Sequence, residues 1–418
     1  MRRVYTVILW VLLPFVLLRL AVRGLRNRGY WQRWGERFGF VVPAPRPTLW
    51  LHAVSVGETR AAAPLVQALR QAYPDLLLWI TTTTATGSAQ VRAIFGDTVA
   101  HSYLPYDLPV AVQRFLRRAR PRALIVMETE LWPNLFFYCA RAGVPIAIAN
   151  LRLSVRSYAR YARFVRLTRA TLAHVRVFAA QAPADAERIR ALGAPAERVQ
   201  VTGNIKYDIA FPDDLPARAK ALRAALGARP TWIAASTHAG EDGIVLHAHR
   251  ELLRERPDLL LILVPRHPER FGQVVKLAAQ EFKSSRRSAG VLPDAETHVW
   301  VGDTMGELPL LLAVADVAFV GGSLAPVGGH NILEPAALGI PSVFGPYMFN
   351  FADIAAAALA AGAAMQVQTA AELAPAVARY LRQSECRAAA GEAATRWVAA
   401  NRGALHKTLV LVDSLLKG

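Results

Sequence analysis

The chain has 418 residues, of which 53% are hydrophobic and 19% are charged. This length allows two or three domains that each bury a core, and the composition excludes a disordered chain. The two cysteines, Cys139 and Cys386, are too far apart to form a motif, so neither a disulfide scaffold nor a cysteine-based zinc site is indicated. Because 49 Lys and Arg stand against 31 Asp and Glu, the net charge is +18. That charge calls for an anionic partner: nucleic acid, an acidic membrane surface or an acidic substrate.

The N-terminus predicts a membrane anchor. Val4 to Leu18 is an uncharged run of 15 residues, which extends to Val22 if Arg19 reaches the headgroups. About 19 helical residues cover roughly 28 Å, close to the thickness of the hydrocarbon layer. Arginines rather than a small-residue cleavage site follow the run, so a retained anchor is favoured over a signal peptide. The greater positive charge after the run predicts that the rest of the chain lies in the cytoplasm.

A second N-terminal pattern predicts an interfacial helix. Aromatic residues at helical spacing alternate with arginines, namely Tyr30, Trp31, Trp34 and Phe38 with Arg28, Arg33 and Arg37. Such a helix would rest on the membrane surface. The alternative is a core helix with a solvated basic face.

From Thr48 onward, short apolar runs alternate with helical stretches. The predicted strands of a first block are Leu49–Val54, Leu76–Thr81, Ala123–Met127, Ile146–Ala149, Val175–Ala179 and Val199–Val201. A linker-like FPDDLP stretch follows Asp208, and a second block predicts strands at Trp232–Ala235, Leu259–Val264, Val299–Val301, Val317–Val320, Ser342–Phe344 and Met365–Val367. This alternation indicates parallel sheets covered on both faces. We therefore expect an α/β chain with two Rossmann-like domains facing a cleft, and ligand sites in the loops after the strands.

The loop from His52 to Glu58 is the first candidate site. It follows a predicted strand and leads into a helix, and a carboxylate at a helix N-terminus is stabilised by backbone N–H groups. Glu58 is therefore expected to be ionised at neutral pH and able to accept a proton from an attacking hydroxyl. The spacing Ser55-x-x-Glu58 also fits a capping box, a purely structural role.

Further candidates follow in the first block. Glu128 and Glu130 stand at the end of another predicted strand, where a solvated loop could equally hold both acids. The segment from residue 151 to 176 has seven arginines and no acid, which favours a docking surface for phosphates or anionic lipid. The alternative is a solvated face, the usual role of a run of charges. Arg156, Arg160 and Arg163 would share one helical face. Lys206, in the sequence TGNIK, could project into the cleft.

The second block contains a glycine-rich turn at Gly321-Gly322-Ser323 and Gly328-Gly329-His330. Such a turn lets a phosphate approach the backbone at a helix N-terminus. Glu334 could accept hydrogen bonds from ribose hydroxyls, although Asn331-x-x-Glu334 also fits a helix cap. Because GxxxxGK[ST] is absent and no GxGxxG opens a first βα unit, ATPase and NAD-dehydrogenase functions are weakly supported. His247 and His249, at i and i+2, do not favour a metal site.

Six motifs together carry a resemblance to a known family. In order along the chain they are LHAVSVGE, METELWPN, VTGNIKYD, LVPRHPERF, GDTMGE and GGHNILEPAALGIPSVFGP. From about residue 30 to 355 the sequence closely resembles the 3-deoxy-D-manno-octulosonic acid (Kdo) transferases of lipopolysaccharide synthesis. The resemblance implies a glycosyltransferase-B fold and metal-independent, inverting transfer of Kdo from CMP-Kdo to the lipid A precursor (lipid IVA), without a cofactor.

The resemblance also implies roles for individual residues. Glu58 matches the general base of the family, and Glu128 and Lys206 match residues that stabilise the transition state. The CMP-binding segments match Pro265, Arg266, Met305, Gly306, Glu307, Asn331, Ile332, Leu333 and Glu334.

These expectations assign residues 1–22 to the anchor, 23–210 to an acceptor-binding domain and 211–418 to a CMP-Kdo-binding domain, whose last helix could pack back on the first domain. The enzyme would face the cytoplasm at the inner membrane. Alternatives from the residues alone are a UDP-sugar transferase or epimerase of the same fold, and a non-enzymatic, membrane-tethered polyanion-binding module. Nucleic acid is the least favoured partner, because the basic residues follow an anchor and no nucleic-acid-binding module is recognised.

Overall fold

The computed structural model describes residues 1–26 and 28–417. The chain divides into two compact units, one formed by Met1–Asp208 with Asn401–Gly418 and the other by Ile209–Ala400. The FPDDLP stretch follows this division and ends in the first turn of a helix.

Strands and helices alternate along both units. The strands are β1 (Thr48–His52), β2 (Leu77–Thr82), β3 (Ala100–Tyr103), β4 (Pro121–Met127), β5 (Ile146–Leu151), β6 (Val177–Ala180), β7 (Val199–Val201), β8 (Thr231–Thr237), β9 (Leu260–Pro265), β10 (Ser284–Arg286), β11 (Val299–Val301), β12 (Val317–Val320), β13 (Ser342–Phe344) and β14 (Ala364–Gln366).

The helices of the first unit are α1 (Arg2–Arg26), α2 (Trp34–Arg37), α3 (Val56–Ala72), α4 (Ala85–Phe95), α5 (Pro109–Ala119), α6 (Pro133–Arg141), α7 (Val155–Ala162), α8 (Val165–Leu172) and α9 (Pro183–Ala191). Those of the second unit are α10 (Leu215–Leu226), α11 (Glu241–Leu253), α12 (Phe271–Glu281), α13 (Leu308–Ala313), α14 (Leu333–Ala337), α15 (Ala352–Ala360), α16 (Leu373–Arg382) and α17 (Ser384–Asn401). The C-terminal helix α18 (Ala404–Lys417) belongs to the first unit.

The first unit is built on a seven-stranded parallel sheet in the order β3-β2-β1-β4-β5-β6-β7. Both faces are covered: Trp50 packs into one apolar cluster, whereas its neighbours Leu49 and Leu51 pack into the cluster on the other face. The strand order reverses between β1 and β4, which pair directly. Ligands of open α/β sheets bind beyond the strand ends at such a reversal, so this edge is where a site is expected.

The second unit repeats this plan in the order β10-β11-β9-β8-β12-β13-β14, again with parallel pairing. Trp232 and Ile233 point to opposite apolar clusters, so this sheet is also buried on both faces. Its strand order reverses between β8 and β12. The prediction of two α/β blocks with doubly covered parallel sheets is therefore confirmed.

All twelve predicted strands have a counterpart in the structure, and two further strands were not predicted. Both of these, β3 (AHSY) and β10 (SSR), lie at a sheet edge and are short and polar. An edge strand pairs on one side only and needs no continuous apolar run, so hydrophobic patterning does not reveal it.

Helix α1 is apolar enough to cross a membrane. Its residues Arg2–Leu25 have a mean hydropathy of 2.2, and only 6% of the apolar window is buried. At its start, Arg2 Nη1 and Thr6 Oγ1 donate to Asn134 Oδ1 at 2.9 and 3.0 Å, so this end of the helix contacts α6. The finding supports the anchor by length and composition.

The expected interfacial helix over Tyr30–Phe38 is wrong. The segment forms a short 3₁₀ turn followed by the four-residue helix α2, with Arg33 in the left-handed region at φ 60° between them. Arg37 is buried, and its guanidinium lies 4.0 Å from the ring centre of Tyr103. The arginines of this segment therefore serve packing against edge strand β3, which sequence spacing could not distinguish from a membrane-facing role.

The C-terminal helix is fixed to the first unit by a carboxylate from the unit boundary. Asp208 accepts hydrogen bonds from the backbone N–H groups of Gly403 and Leu405, each at 2.6 Å, at the start of α18. Ala404, Val412 and Leu415 then pack into the apolar cluster that covers one face of the first sheet. A charged cap thus positions the helix and burial holds it.

Asp208→Ala is expected to loosen α18, because the two N–H groups lose a charged acceptor. Amide hydrogen exchange across residues 403–410 should accelerate about tenfold or more, whereas exchange in the second sheet should not change. Asp213→Ala, at an exposed position, is the matched control. Unchanged exchange in Asp208→Ala would show that the cap is dispensable.

Candidate active site

In the first unit, acidic residues follow β1 and β4, the two strands at the order reversal. Glu58 lies in the first turn of α3, and Glu128 directly follows β4. The Glu58 carboxylate accepts a hydrogen bond from Val54 N at 2.7 Å and from Ser55 Oγ at 3.1 Å, and Ser55 Oγ accepts from Glu58 N at 3.4 Å. The predicted capping interaction is present, except that Glu58 reaches the N–H of residue 54 instead of that of residue 55.

The Glu58 carboxyl group is half-buried and holds its proton more tightly than an ordinary glutamate. Burial raises its pKa to about 7, and the negative charges of Glu128 and Glu130 act in the same direction, against the hydrogen bonds from residues 54 and 55. The expectation of a fully ionised Glu58 at neutral pH is therefore wrong: loss of hydration and like charges outweigh the helix N-terminus. A carboxyl group with a pKa near 7 can exchange protons in either direction at neutral pH.

The backbone holds Glu128 in an uncommon conformation. Its φ is +57°, in the left-handed region, and its N–H donates to Ala149 O at 2.9 Å on the neighbouring strand. This conformation is energetically unfavourable for a residue other than glycine, and such backbone strain is found most often at functional sites. Burial raises the pKa of Glu130, two residues on, to about 7; Arg160 opposes this rise and Glu128 adds to it. The structure thus brings Glu58, Glu128 and Glu130 together.

Lys206 lies in a short 3₁₀ turn, Ile205–Tyr207, that packs against α3. Two asparagines position this turn: Asn150 Oδ1 accepts from Ile205 N, and Asn204 Oδ1 accepts from Lys206 N, each at 3.0 Å. Asn150 is buried at the end of β5 with φ +53°. The turn that carries the predicted cation therefore contacts the helix that carries Glu58.

In the second unit, one buried carboxylate organises the glycine-rich loop. Glu241, the first residue of α11, is fully buried and accepts hydrogen bonds from five backbone N–H groups at 2.7–3.2 Å, those of His238, Gly322, Ser323, Leu324 and Ala325. It therefore ties the turn after β8 to the loop after β12, across the order reversal. Glu241 was not predicted from the sequence, although an acid in the first turn of a helix after a strand is also the signal that marks Glu58.

Glycine is required in this loop because its backbone passes close to other chain segments. A Cβ at Gly321 would lie 2.6 Å from Ser236 O. One at Gly329 would lie 2.2 Å from Met348 Sδ, at a φ of +74°. The predicted turn thus exists, and packing within the protein accounts for part of its glycine content.

Two histidines and a cation lie beside this loop. His238 Nε2 and His330 Nε2 are 2.7 Å apart with ring planes 10° from parallel, so one ring donates to the other. Burial lowers the pKa of His238, with His267, Arg270 and Arg266 contributing and Glu241 opposing. Arg266 follows the buried Pro265 at the end of β9, and its N–H donates to Thr237 O at 3.0 Å. His238 was not predicted as a site residue.

The segment Asn331–Glu334 forms a tight polar turn. Asn331 Oδ1 accepts from Leu333 N at 3.2 Å, and Asn331 Nδ2 donates to Glu334 Oε1 at 3.1 Å. Burial raises the pKa of Glu334, opposed by Asn331 and by the charge of Arg266. Ile332 and Leu333 are almost fully buried, backbone included, so neither offers a ligand an exposed surface, in contrast to the expected nucleotide contacts. Helix α14 has only five residues, so its dipole is smaller than the sequence pattern suggested.

The third predicted segment, Met305–Glu307, precedes α13. Met305 is 64% exposed, and Gly306 adopts φ +81°. Glu307 accepts from Arg287 Nε and Nη2 at 3.1 and 2.8 Å and from Thr304 Oγ1, and these bonds lower its pKa. The carboxylate is therefore ionised and held in place. Arg287, its partner, was not predicted, because it lies after the unrecognised edge strand β10.

Within residues 1–26 and 28–417, no group of three or more His, Cys, Asp or Glu side chains is arranged to hold a metal ion.

The chain is similar to known proteins in sequence and in fold. A protein-family model described as 3-Deoxy-D-manno-octulosonic-acid transferase (kdotransferase) matches residues 32–209. A 3-deoxy-D-manno-octulosonic acid transferase from Haemophilus influenzae is 43% identical over 419 residues, covering 99% of this chain and 98% of that protein.

Among solved structures, a glycosyltransferase from Rickettsia africae is 14% identical with a TM-score of 0.52, covering 90% of this chain and 100% of that one. A UDP-GlcNAc 2-epimerase from Neisseria meningitidis bound to UDP-GlcNAc is 14% identical with a TM-score of 0.56, covering 89% and 100%. At this identity the two structures show the fold alone.

The two parallel sheets and these neighbours define a glycosyltransferase-B fold. The reversal-point sites of both units fit an enzyme of the glycosyltransferase class. The sequence comparison is more specific: the chain belongs to the family of 3-deoxy-D-manno-octulosonic acid (Kdo) transferases.

Glu58→Gln is expected to stabilise the protein increasingly as pH rises. Folding raises the pKa of this carboxyl group, so the group lowers the free energy of unfolding at any pH where it is ionised in the unfolded chain. The loss of stability grows with pH and is complete above the folded pKa of about 7. The stability gain over wild type should therefore grow by about 2 kcal/mol between pH 5 and pH 8. The measurement is the free energy of unfolding of the full-length protein, from urea denaturation at both pH values. Glu187→Gln, at an exposed position of α9, is the control, and a gain independent of pH would contradict the raised pKa.

Proposed function

We propose that the protein transfers Kdo from CMP-Kdo to the lipid A precursor (lipid IVA) with inversion at the anomeric carbon, and that Glu58 is the general base. The observation that carries the proposal is the half-buried Glu58 carboxyl group, at the reversal point of the first sheet, with a pKa of about 7. Family membership supports Kdo as the transferred sugar.

In this reaction an acceptor hydroxyl oxygen forms a bond to the anomeric carbon of Kdo while the bond from that carbon to the CMP phosphate oxygen breaks. The hydroxyl proton goes to the Glu58 carboxylate, and the electron pair of the broken bond leaves with CMP. Attack opposite to the departing nucleotide inverts the anomeric carbon. A base with a pKa near the working pH is ionised in a large share of molecules and still accepts a proton effectively.

Glu128 and Lys206 would act on the charge that develops during transfer. The sugar gains oxocarbenium character, which a carboxylate such as Glu128 stabilises, and the strained backbone at this residue fits a side chain held for function. Lys206 would hold the Kdo carboxylate or the phosphate. The packing of its turn against α3 supports an action near Glu58.

The second unit would bind the donor, and the first the acceptor. Arg266 would supply positive charge for the phosphate of CMP, and the His238–His330 pair would supply N–H donors. Asn331 and Glu334 form a polar turn suited to ribose hydroxyls, and residues 305–307, which include the exposed Met305, would complete the nucleotide contacts. These groups would stabilise the leaving phosphate.

Helix α1 would hold the enzyme at the cytoplasmic face of the inner membrane, where the acceptor lies. The mean hydropathy of the helix and the positive charge that follows it support this location. The arginines of α7 and α8 suit an acceptor that carries two phosphates.

The proposed reaction is tested directly with purified protein, CMP-Kdo and tetraacylated lipid A precursor, followed by mass analysis. Products heavier by one or more Kdo residues are expected. Glu58→Gln should lower kcat by about 100-fold or more, because the proton loses its acceptor, while CMP-Kdo binding stays within twofold. Glu187→Gln should behave as wild type. Full turnover by Glu58→Gln would exclude this residue as the base.

The rate should depend on pH through the same group. Because the base must be ionised, kcat/KM is expected to rise about tenfold per unit below pH 7 and to level off above it. The measurement is a series of initial rates from pH 5.5 to 8.5 at acceptor concentrations well below KM, where the rate is proportional to kcat/KM. A rate that does not change across this range would contradict a titrating general base.

A UDP-sugar transferase or epimerase is the alternative on the same fold, and nucleotide binding distinguishes the two. CMP is expected to bind at least tenfold more tightly than UDP. Arg266→Ala should weaken CMP binding about 10- to 100-fold, because a charge-assisted contact to phosphate is lost. Arg256→Ala, an exposed arginine of the same unit, should not. Tighter binding of UDP would favour the alternative.

A further inference from the structure

A cavity of about 820 Å³ lies in the first unit, between the start of α1 and helices α7 and α8. This volume is in the range of sites that enclose small ligands. Its lining residues come from three segments: Met1, Val4, Tyr5 and Ile8; Leu131 and Pro133; and Arg160, Tyr161, Arg163, Phe164, Val165, Arg166, Leu167, Thr168 and Thr171.

The cavity combines an apolar wall with a cationic one. On the α1 side, Val4 and Ile8 are 59% and 49% exposed, and they belong to a helix whose apolar surface is unburied along most of its length. On the other side are three arginines at positions 160, 163 and 166, and none of the described lining residues is acidic. An apolar space bordered by arginines matches a molecule with a hydrocarbon chain and a phosphate.

The cavity lies close to the acidic cluster. Leu131, which lines it, follows Glu130 in the chain, and Arg160, which also lines it, acts electrostatically on Glu130. Glu130 in turn acts on Glu58. A ligand whose chain fills the cavity would therefore have its head group beside the proposed base.

We propose that this cavity binds an acyl chain of the lipid acceptor, while Arg160, Arg163 and Arg166 bind a phosphate of its sugar head group. This inference rests on the proposed function, because it assigns the acceptor to this part of the first unit. It commits to the acceptor rather than to a bulk phospholipid because Arg160, which lines the cavity, acts on Glu130, and Glu130 acts on Glu58, the carboxyl group that would deprotonate a sugar hydroxyl. Each methylene buried there favours binding by a factor of about four.

Val165 and Val155 provide a matched pair for the test. Each is the first residue of an eight-residue helix, α8 or α7, and each is exposed, at 39% and 67%. Only Val165 lines the cavity. Aspartate is equally compatible with both helix starts, so folding should tolerate both substitutions. Val165→Asp introduces a charge into the cavity, and Val165→Trp fills it without reducing apolar character.

The primary measurement is equilibrium binding of the tetraacylated, bisphosphorylated disaccharide and of its deacylated form, in mixed micelles without donor. We expect Val165→Asp and Val165→Trp to weaken binding of the acylated form at least tenfold and to leave binding of the deacylated form and of CMP-Kdo within twofold. Val155→Asp and Val155→Trp should match wild type for all three ligands. Association with phosphatidylglycerol vesicles should be equal in all five proteins.

Equal affinity of the acylated form in all five proteins would overturn the proposal. Equal weakening of binding of the deacylated form in the Val165 variants would also overturn it, because it would indicate a general defect. So would a matching loss of vesicle association in these variants, which would assign the cavity to bulk phospholipid. Failure of the proposed function has a different signature: wild type would bind the acylated acceptor in the Val165-dependent manner and yet transfer no Kdo.

Discussion

A carboxylate that accepts backbone hydrogen bonds at the turn after a strand is the constraint on which both units depend. In the second unit, Glu241 is fully buried and its five N–H partners hold the glycine-rich loop in one shape. In the first unit, Glu58 has one backbone and one hydroxyl partner and remains half-exposed. The two residues occupy similar positions in similar sheets but have different roles. Glu241 holds a loop in place, whereas the hydrogen bonds to Glu58 do not offset its loss of hydration, so its pKa is about 7.

The placement of these groups follows from parallel sheet geometry. Because every strand of a parallel sheet ends at the same edge, residues far apart in sequence, such as Glu58, Glu128 and the turn of Lys206, meet there without any long loop. The same rule in the second unit brings the turn after β8 to the loop after β12. The acidic cluster of the first unit then extends through Glu130 and Arg160 to an apolar cavity beside α1, so proton acceptance and lipid recognition would share one edge of one sheet.

Prediction from sequence failed where the same residue pattern is compatible with two different structures. The edge strands β3 and β10 were missed because pairing on one side needs little apolar surface. The arginines near Tyr30 were assigned to a membrane surface, yet Arg37 is buried against Tyr103, and aromatic–arginine spacing is the same in both cases. Glu58 was expected to be ionised because its helix position is visible in the sequence, whereas its loss of hydration and its acidic neighbours are not. His238 and Arg287 were missed because their partners, His330 and Glu307, are distant in the chain.

The sequence by itself determined the alternation of strands and helices, the doubly buried sheets, the apolar N-terminal helix and the motifs that identify the family. These are local properties, since periodicity, hydropathy and short motifs depend only on residues that are close together in the chain. Tertiary structure alone decided which carboxylates meet, which of them ionise, how the glycine-rich loop is held and where a cavity forms beside α1. Each of these depends on burial and on contacts between distant segments, and therefore on how the chain packs once its elements have formed.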